Sequence, residues 1–175
     1  MLKFEITFGD LLTIITIALT LLIYLHSRSV EKRIQKASFL RDYLILFLQS
    51  PLSDTFFDVD YGRLHFSPEF IGSKDEIRLT QLLEFLNNLC FNYYAGVIES
   101  KDLEGTTFGY AISRVCGNVD VQKYLAHVDA HDMESGYEGV SFAYLRRFAS
   151  ESEQRRSRRK HRGYFKKLRI RRRLL

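Results

Sequence analysis

Residues 11–25 read LLTIITIALTLLIYL, fifteen residues without a charged side chain, and this stretch decides the fold class. As a helix rising about 1.5 Å per residue, the run covers about 22 Å. To cross a bilayer core of about 30 Å, the helix must therefore also include Ile6, Phe8 and Gly9, or the bilayer must become thinner around it. Isoleucine and leucine cover nearly the whole circumference, which favours a membrane span over a buried core helix. A cleaved signal peptide is disfavoured because acidic residues precede the run and no small-residue cleavage site follows it.

Basic residues are distributed unevenly around this span. Arg28, Lys32, Arg33 and Lys36 follow it, whereas only Lys3 precedes it. The positive-inside rule predicts a single-pass protein of the inner (cell) membrane, with its N-terminus outside and its C-terminal domain in the cytoplasm. The chain has only two cysteines, too few for a disulfide framework, which is typical of a reducing compartment.

The polar residues of the span share one side of the helix. At about 100° per residue, they fall within an arc of about 120°. Three interpretations are open: threonines that bond back to their own helix, a stripe for packing between helices, or the lining of a pore in a bundle of several copies. An acidic ring at one mouth of such a pore would favour cations. The predicted pore-lining residues are Asp10, Thr13, Thr16, Thr20 and Tyr24.

The remainder predicts an all-α fold, in which one N-terminal transmembrane helix precedes a small helical cytoplasmic domain and a basic C-terminal tail. The first helix continues to about Ser50, where Pro51 ends it. Its apolar face outside the membrane is predicted to be Ile34, Ala37, Leu40, Leu44 and Phe47.

Local signals place the later helices. A capping box at Ser73 and Glu76 opens a helix that extends to about Ser100. Its apolar face includes Cys90, which we expect to be buried. Further helices are predicted over 102–115, 120–128 and 140–148, with a stop at Gly117 and Asn118. The predicted domains are a transmembrane segment at 1–29, a helical cytoplasmic domain at 30–150 and an Arg-rich tail at 151–175.

Signals for catalysis are weak. His127 and His131 have the spacing of two metal ligands on one helix face, and Asp132 follows them. No motif supplies further ligands, so we interpret this cluster as a solvated helix end. The chain is predicted to have no enzyme activity, no cofactor and no bound metal.

Charge is strongly segregated along the chain. Residues 1–154 contain 14 basic and 21 acidic side chains, whereas residues 155–175 contain 12 basic and none that is acidic. An acidic body of net charge −7 therefore precedes a tail of net charge +12. Such segregation indicates different partners for the two parts.

The composition of the tail favours a polyanion. Nine of its cations are arginines, and aromatic residues lie within the run. Arginine binds phosphate through a planar fork and flat rings stack on bases, so the tail predicts single-stranded nucleic acid or an oligonucleotide as partner. Anionic lipid head groups fit the same composition, and so does shielding of the acidic body. Residues 167–171 alternate like a strand, while other cations follow helical spacing. The predicted polyanion-binding residues are Arg155, Arg156, Arg158, Arg159, Lys160, Arg162, Tyr164, Phe165, Lys166, Lys167, Arg169, Arg171, Arg172 and Arg173.

The segments LLEFLNNLCFNYYAGVIESKDL, GYAISRVCGNVDVQKYL and FAYLRRF, between Leu82 and Phe148, together with the span resemble a group of uncharacterised bacterial proteins. Those proteins have one N-terminal span and a small helical cytoplasmic domain, and some are associated with anti-phage defence. The resemblance implies a membrane effector that oligomerises and leaks ions. It carries over no catalytic residue and does not include the Arg-rich tail.

Together these features predict a homo-oligomeric channel whose cationic tails bind nucleic acid. The alternative is a membrane-anchored scaffold or adaptor whose polybasic tail lies on anionic lipid. A hydrolase that uses the His127 cluster is the least favoured interpretation.

Overall fold

The computed structural model describes residues 8–136 and 139–171, with side chains up to residue 158. Within these ranges the chain forms seven α-helices and one 3-10 turn, and no strand, so the all-α prediction is confirmed. The helices are α1 (Phe8–Phe47), α2 (Leu52–Asp60), α3 (Lys74–Tyr94), α4 (Ser100–Glu104), α5 (Thr107–Gly117), α6 (Val119–Glu134) and α7 (Ala143–Arg171), and the 3-10 turn is Pro68–Phe70.

Two compact units divide the chain, Met1–Leu46 and Phe47–Leu175. The first contains α1 up to Leu46, and α1 is long and apolar enough to cross a membrane. The predicted boundary at residue 29 marks the end of the apolar run and lies inside this continuous helix. The predicted apolar face beyond the run is not uniformly covered, because Ile34 is 63% exposed whereas Phe47, in the second unit, is 2% exposed.

The second unit is built around α3. Ser73 caps this helix by accepting from the Glu76 N–H at 3.2 Å, and the Glu76 carboxylate accepts from the Gly72 N–H. The apolar face has almost no exposed surface: Leu79, Leu82, Leu83, Leu86, Leu89 and Cys90. Burial of Cys90 is therefore confirmed. The prediction that the helix reaches Ser100 was wrong, since Gly96 adopts a positive φ of 76° just after Tyr94.

The helix predicted over 102–115 is two helices. α4 ends at Glu104, and Thr106 is extended before α5 begins. The two helices cross so closely that a Cβ at Gly109 would collide with the backbone of Leu103 and Glu104. Gly105 follows α4 directly, so the break coincides with a local residue signal that helical periodicity alone does not report.

The ends of the next two helices also differ from expectation. Asn118 follows α5 as predicted and caps α6 by accepting from the N–H groups of Asp120 and Val121. α6 continues to Glu134, six residues beyond the predicted end, and Gly136 follows with a φ of 79°.

α7 begins within the body and runs without a break into the basic segment. Leu145, Phe148 and Ser152 are buried, so the helix packs on the body up to residue 152, inside the segment predicted as the tail. Glu151 lies 2.9 Å from Arg147 and 3.3 Å from Arg155, one turn away on each side, which supports the continuous helix. The sequence left the conformation of residues 167–171 open between strand-like alternation and helical spacing, and the backbone there is helical.

Candidate functional site

The first half of α7 is fixed to the body by specific polar contacts. The Leu145 N–H donates to Asn87 Oδ1 of α3 at 3.1 Å. Arg146 Nη2 donates to Asp129 Oδ1 of α6 at 3.0 Å and to the Leu125 carbonyl at 3.3 Å. These bonds set the position from which the cationic half of the helix continues.

Arg155, which was predicted to bind a polyanion, forms ion pairs within the fold. Its Nε lies 2.7 Å from Glu104 Oε1 and its Nη1 lies 3.3 Å from Glu151 Oε2. Its guanidinium also lies 5.5 Å from the centre of the Phe148 ring. Burial, the largest single influence, acts to lower the pKa of Arg155, but Glu104, Tyr93 and Glu151 together raise it above its ordinary value. Arg155 therefore joins α7 to α4 and does not belong to the candidate surface.

The exposed cations begin with the next residues. Arg156 is exposed and its Nη1 donates to Ser113 Oγ at 3.2 Å, and Arg158 is also exposed. For the following predicted residues, Arg159, Lys160, Arg162, Tyr164, Phe165, Lys166, Lys167, Arg169 and Arg171, the structure describes the helical backbone alone. Arg172 and Arg173 lie outside the described residues.

The helical backbone places several of these positions along one side of α7. At about 100° per residue, positions 158, 162, 166 and 169 fall within an arc of about 80°. All four are basic in the sequence. The first half of the helix places Tyr144, Arg147, Glu151 and Arg155 on the same side, where Arg147 and Arg155 both pair with Glu151. Beyond Arg155 this side has basic residues and no acidic one. We call this side the cationic side of α7.

A cluster of aromatic rings adjoins that side, and sequence reasoning missed it. The Phe91 and Tyr144 rings lie 5.2 Å apart, the Tyr94 and Tyr144 rings lie 5.9 Å apart, and the Arg147 guanidinium lies 4.4 Å from the centre of the Tyr94 ring. Phe91 is 46% exposed and Tyr144 is 39% exposed. We call Phe91, Tyr94, Tyr144 and Arg147 the aromatic platform. Exposed rings beside a cation can stack on nucleobases.

The Tyr94 hydroxyl is held in its neutral form. Burial raises the pKa of Tyr94 to about 12, and the Glu151 charge acts in the same direction. The sequence places Tyr94 on the buried face of α3, but nothing in the spacing of that helix indicates that Tyr144 packs beside it.

In α1, the threonines of the predicted pore lining bond back to their own helix. Thr13 donates to the Gly9 carbonyl at 2.9 Å, Thr16 to Leu12 at 2.9 Å and Thr20 to Thr16 at 2.8 Å. These bonds use the hydroxyl hydrogens and leave oxygen lone pairs along the stripe. Asp10 and Tyr24 are exposed on the same helix. The back-bonded arrangement is thus present, and it is compatible with a lining of acceptor oxygens.

The residues of the His127 cluster lie on α6, and two of them contact other groups. The His127 ring lies 5.9 Å from the Phe66 ring, and Asp132 accepts from the Ser141 hydroxyl. Among the described residues, no group of three or more His, Cys, Asp or Glu side chains is arranged to hold a metal ion.

A cleft of about 350 Å³ lies elsewhere on the second unit, beside α2 and the start of α3. Its two arginines each lie near an acid: Arg63 is 4.0 Å from Asp58 and Arg78 is 3.6 Å from Asp75. The charges balance, so this cleft offers no excess of either sign to a ligand.

No family model, no curated protein and no solved structure matches this chain. The features of the chain that bear on function are the cationic side of α7, the aromatic platform and the polar stripe of α1.

Proposed function

We propose that this chain is an oligomeric membrane effector of a bacterial anti-phage defence system, in which the spans form an ion-conducting pore controlled by a nucleic acid bound to α7. The observation that carries the proposal is the continuity of α7 from the folded core into a segment with 12 cations and no acid. The predicted family resemblance supports the assignment to defence, and the polar stripe of α1 supports the pore.

Phosphate contacts would supply most of the affinity. A protein that neutralises phosphates with arginine and lysine releases condensed counterions, so its affinity falls steeply as salt rises. The cationic side of α7 repeats basic residues once per helical turn, which suits a backbone that runs along the helix.

The aromatic platform would add contacts to bases. Stacking of one base on an aromatic ring contributes about 1–3 kcal/mol and tolerates any base. Phe91 and Tyr144 are exposed at the end of the cationic side that the fold anchors. A single strand whose phosphates follow α7 could therefore place an unpaired base on these rings. Duplex DNA keeps its bases stacked and could not.

Mutual repulsion links the ligand to the pore. Two unit charges about 10 Å apart in water repel by about 0.4 kcal/mol, and each chain adds 12 cations to an assembly. An anion between clustered α7 helices removes this repulsion. A ligand that binds one state of the assembly better than another shifts the population of the spans toward that state.

Ion flux from liposomes tests the proposal. Full-length protein is reconstituted, and release of a trapped ion is measured before and after addition of a 20-nucleotide single strand. We expect wild-type protein to conduct, with a rate that changes on addition. In the variant Arg158→Gln/Arg162→Gln the response should weaken. The control Lys74→Gln/Lys101→Gln removes two cations of the body and should respond like wild type. An ion flux through wild-type protein that does not change when the oligonucleotide is added contradicts the proposal that nucleic acid controls the pore.

The second candidate is a membrane-anchored scaffold or adaptor whose α7 lies on anionic lipid. The helical backbone favours it in one respect: positions 157, 161, 164 and 168 share a side of α7, and the sequence has no Lys or Arg there. Such a helix suits a membrane surface. Vesicles with anionic lipid that compete away the oligonucleotide, together with absence of ion flux, would favour this candidate over the channel.

A further inference from the structure

A repeat of seven residues runs along α1 through and beyond the apolar run. Positions 13, 16, 20, 23, 27, 30, 34, 37, 41 and 44 follow one another at alternating intervals of three and four residues. These intervals define the seam by which parallel helices form a coiled coil. The seam residues are Thr13, Thr16, Thr20, Ile23, Ser27, Val30, Ile34, Ala37, Arg41 and Leu44, all uncharged except Arg41.

Beyond the apolar run, most seam residues are apolar, and Val30, Ile34 and Ala37 are exposed. Val30 is 39% exposed and Ile34 is 63% exposed, although five and nine residues separate them from Leu25, the last residue of the run. Single exposed aliphatic residues are common on protein surfaces, but a row at coiled-coil spacing is not.

Charge is arranged around this row in the way a bundle requires. Arg28, Lys32 and Lys36 follow one another every four residues, on the side of α1 opposite the seam. In a bundle they would face outward, toward lipid head groups, and would not meet at the axis. Arg41 lies in the seam, but its Nη2 is 3.2 Å from Asp42 Oδ1 of the same helix. Beyond Ser27, Arg41 is the one polar residue of the seam, and a polar residue at a single seam position fixes the alignment of the helices.

We propose that the occupant of the seam is the same face of α1 from further copies of this chain, so that α1 forms one parallel coiled coil from the threonine stripe to Leu44. Copies inserted in one membrane share an orientation, which brings each residue level with its counterpart at high effective concentration. The inference rests on the oligomer of the proposed function and extends it by naming its interface. A left-handed supercoil keeps a seam of this period facing inward over several turns.

The coiled coil would couple the packing of α1 outside the membrane to the width of the pore. Three of the five predicted pore-lining residues, Thr13, Thr16 and Thr20, lie in the same seam of α1 as Val30 and Ile34, which would hold the bundle. Tightening or loosening the seam beyond the membrane would therefore change the separation of the threonines.

Cysteine cross-linking in membranes tests the interface. Full-length chains carrying Val30→Cys, Ile34→Cys or Ala37→Cys are treated with a mild oxidant and with a short bismaleimide, and so are chains with Lys32→Cys or Gln35→Cys on other faces. The wild-type chain is the blank. Since a disulfide requires Cβ atoms close together, seam positions should give roughly tenfold more dimer than the control positions. Equal yields at all five positions, or a maximum at Lys32→Cys, overturn the proposal.

A charge in the seam gives a second readout. In detergent, Ile34→Asp should lower the mass of the assembly, while Lys32→Asp should leave it unchanged. A lower mass in both variants, or in neither, overturns the seam. Ion flux without periodic cross-linking would contradict the seam and leave the proposed pore standing. Periodic cross-linking without ion flux would support the seam and contradict the proposed pore. A seam that packs on lipid or on another protein would give no cross-linked dimer.

Discussion

Glu104 of α4 and Arg155 of α7 form an ion pair in which Oε1 and Nε are 2.7 Å apart. Both side chains are largely covered, and Glu151 approaches Arg155 from the other side at 3.3 Å. The pair is the last contact of described side chains to join α4 to α7 before the exposed cations begin. Together with the bond from Arg156 to Ser113 Oγ of α5 at 3.2 Å, it fixes α7 to the body where the basic segment begins.

We predict that Glu104→Gln destabilises the body by about 1–3 kcal/mol, because it leaves the Arg155 charge partly buried without its main partner. Circular dichroism during thermal unfolding in detergent measures this change. Glu134→Gln, at the exposed end of α6, is the control and should unfold like wild type. An unchanged unfolding temperature in Glu104→Gln would show that the pair does not hold α7 in place.

Glu151 predicts a dependence of stability on pH. The Arg147 guanidinium, which donates to it, holds the pKa of Glu151 below its ordinary value of 4.5. A carboxylate whose pKa is lowered by folding stabilises the fold fully above its ordinary pKa and loses this contribution as the pH falls through the folded value. Unfolding temperatures between pH 6 and pH 3 should therefore fall less steeply in Glu151→Gln than in wild type. The neighbouring Glu153→Gln should retain the wild-type slope, and equal slopes in both variants would refute the assignment.

The aromatic platform predicts a weaker affinity with an unchanged salt dependence. Tyr144→Leu removes a stacking face and should weaken binding of a single-stranded oligonucleotide by about 1–3 kcal/mol. The slope of affinity against salt should stay unchanged, since every cation is retained. Tyr61→Leu is a matched control because Tyr61 is also exposed, with Arg63 lying 5.4 Å from its ring centre. Equal effects of the two substitutions on affinity would exclude a specific role for the platform.

The threonine stripe predicts a change in ion conduction. Thr16→Val/Thr20→Val keeps the shape of both side chains and removes the oxygens that would face ions. We expect a lower ion flux from liposomes at equal protein content. Ala18→Val, on another side of α1, should conduct like wild type. Conduction that is the same in the double variant and in wild type would argue that the stripe does not line the pore.

Sequence reasoning succeeds where the signal is local. The apolar run predicts a helix that could span a membrane, and the Ser73 capping box predicts the start of α3, as the structure has it. Both depend on residues within a few positions of one another, which a sequence displays directly.

It fails where contacts join distant segments. The aromatic platform depends on Phe91 meeting Tyr144 across two helices. Charge alone separates the tail from the body, but Arg155 reaches back to Glu104 and places the start of that segment in the core. Residue spacing within one helix reports none of these contacts.

Binding of a labelled 20-nucleotide single strand to full-length protein in detergent, followed by fluorescence anisotropy over a range of salt concentrations, shows whether the cations of α7 bind nucleic acid. We predict a dissociation constant that rises steeply with salt. In Arg158→Gln/Arg162→Gln the log–log slope should become shallower by about 0.7 for each phosphate that the variant no longer neutralises. The Lys74→Gln/Lys101→Gln control should keep the wild-type slope. A dissociation constant that does not change with salt, or that is the same in a chain ending at Gln154, would contradict the account.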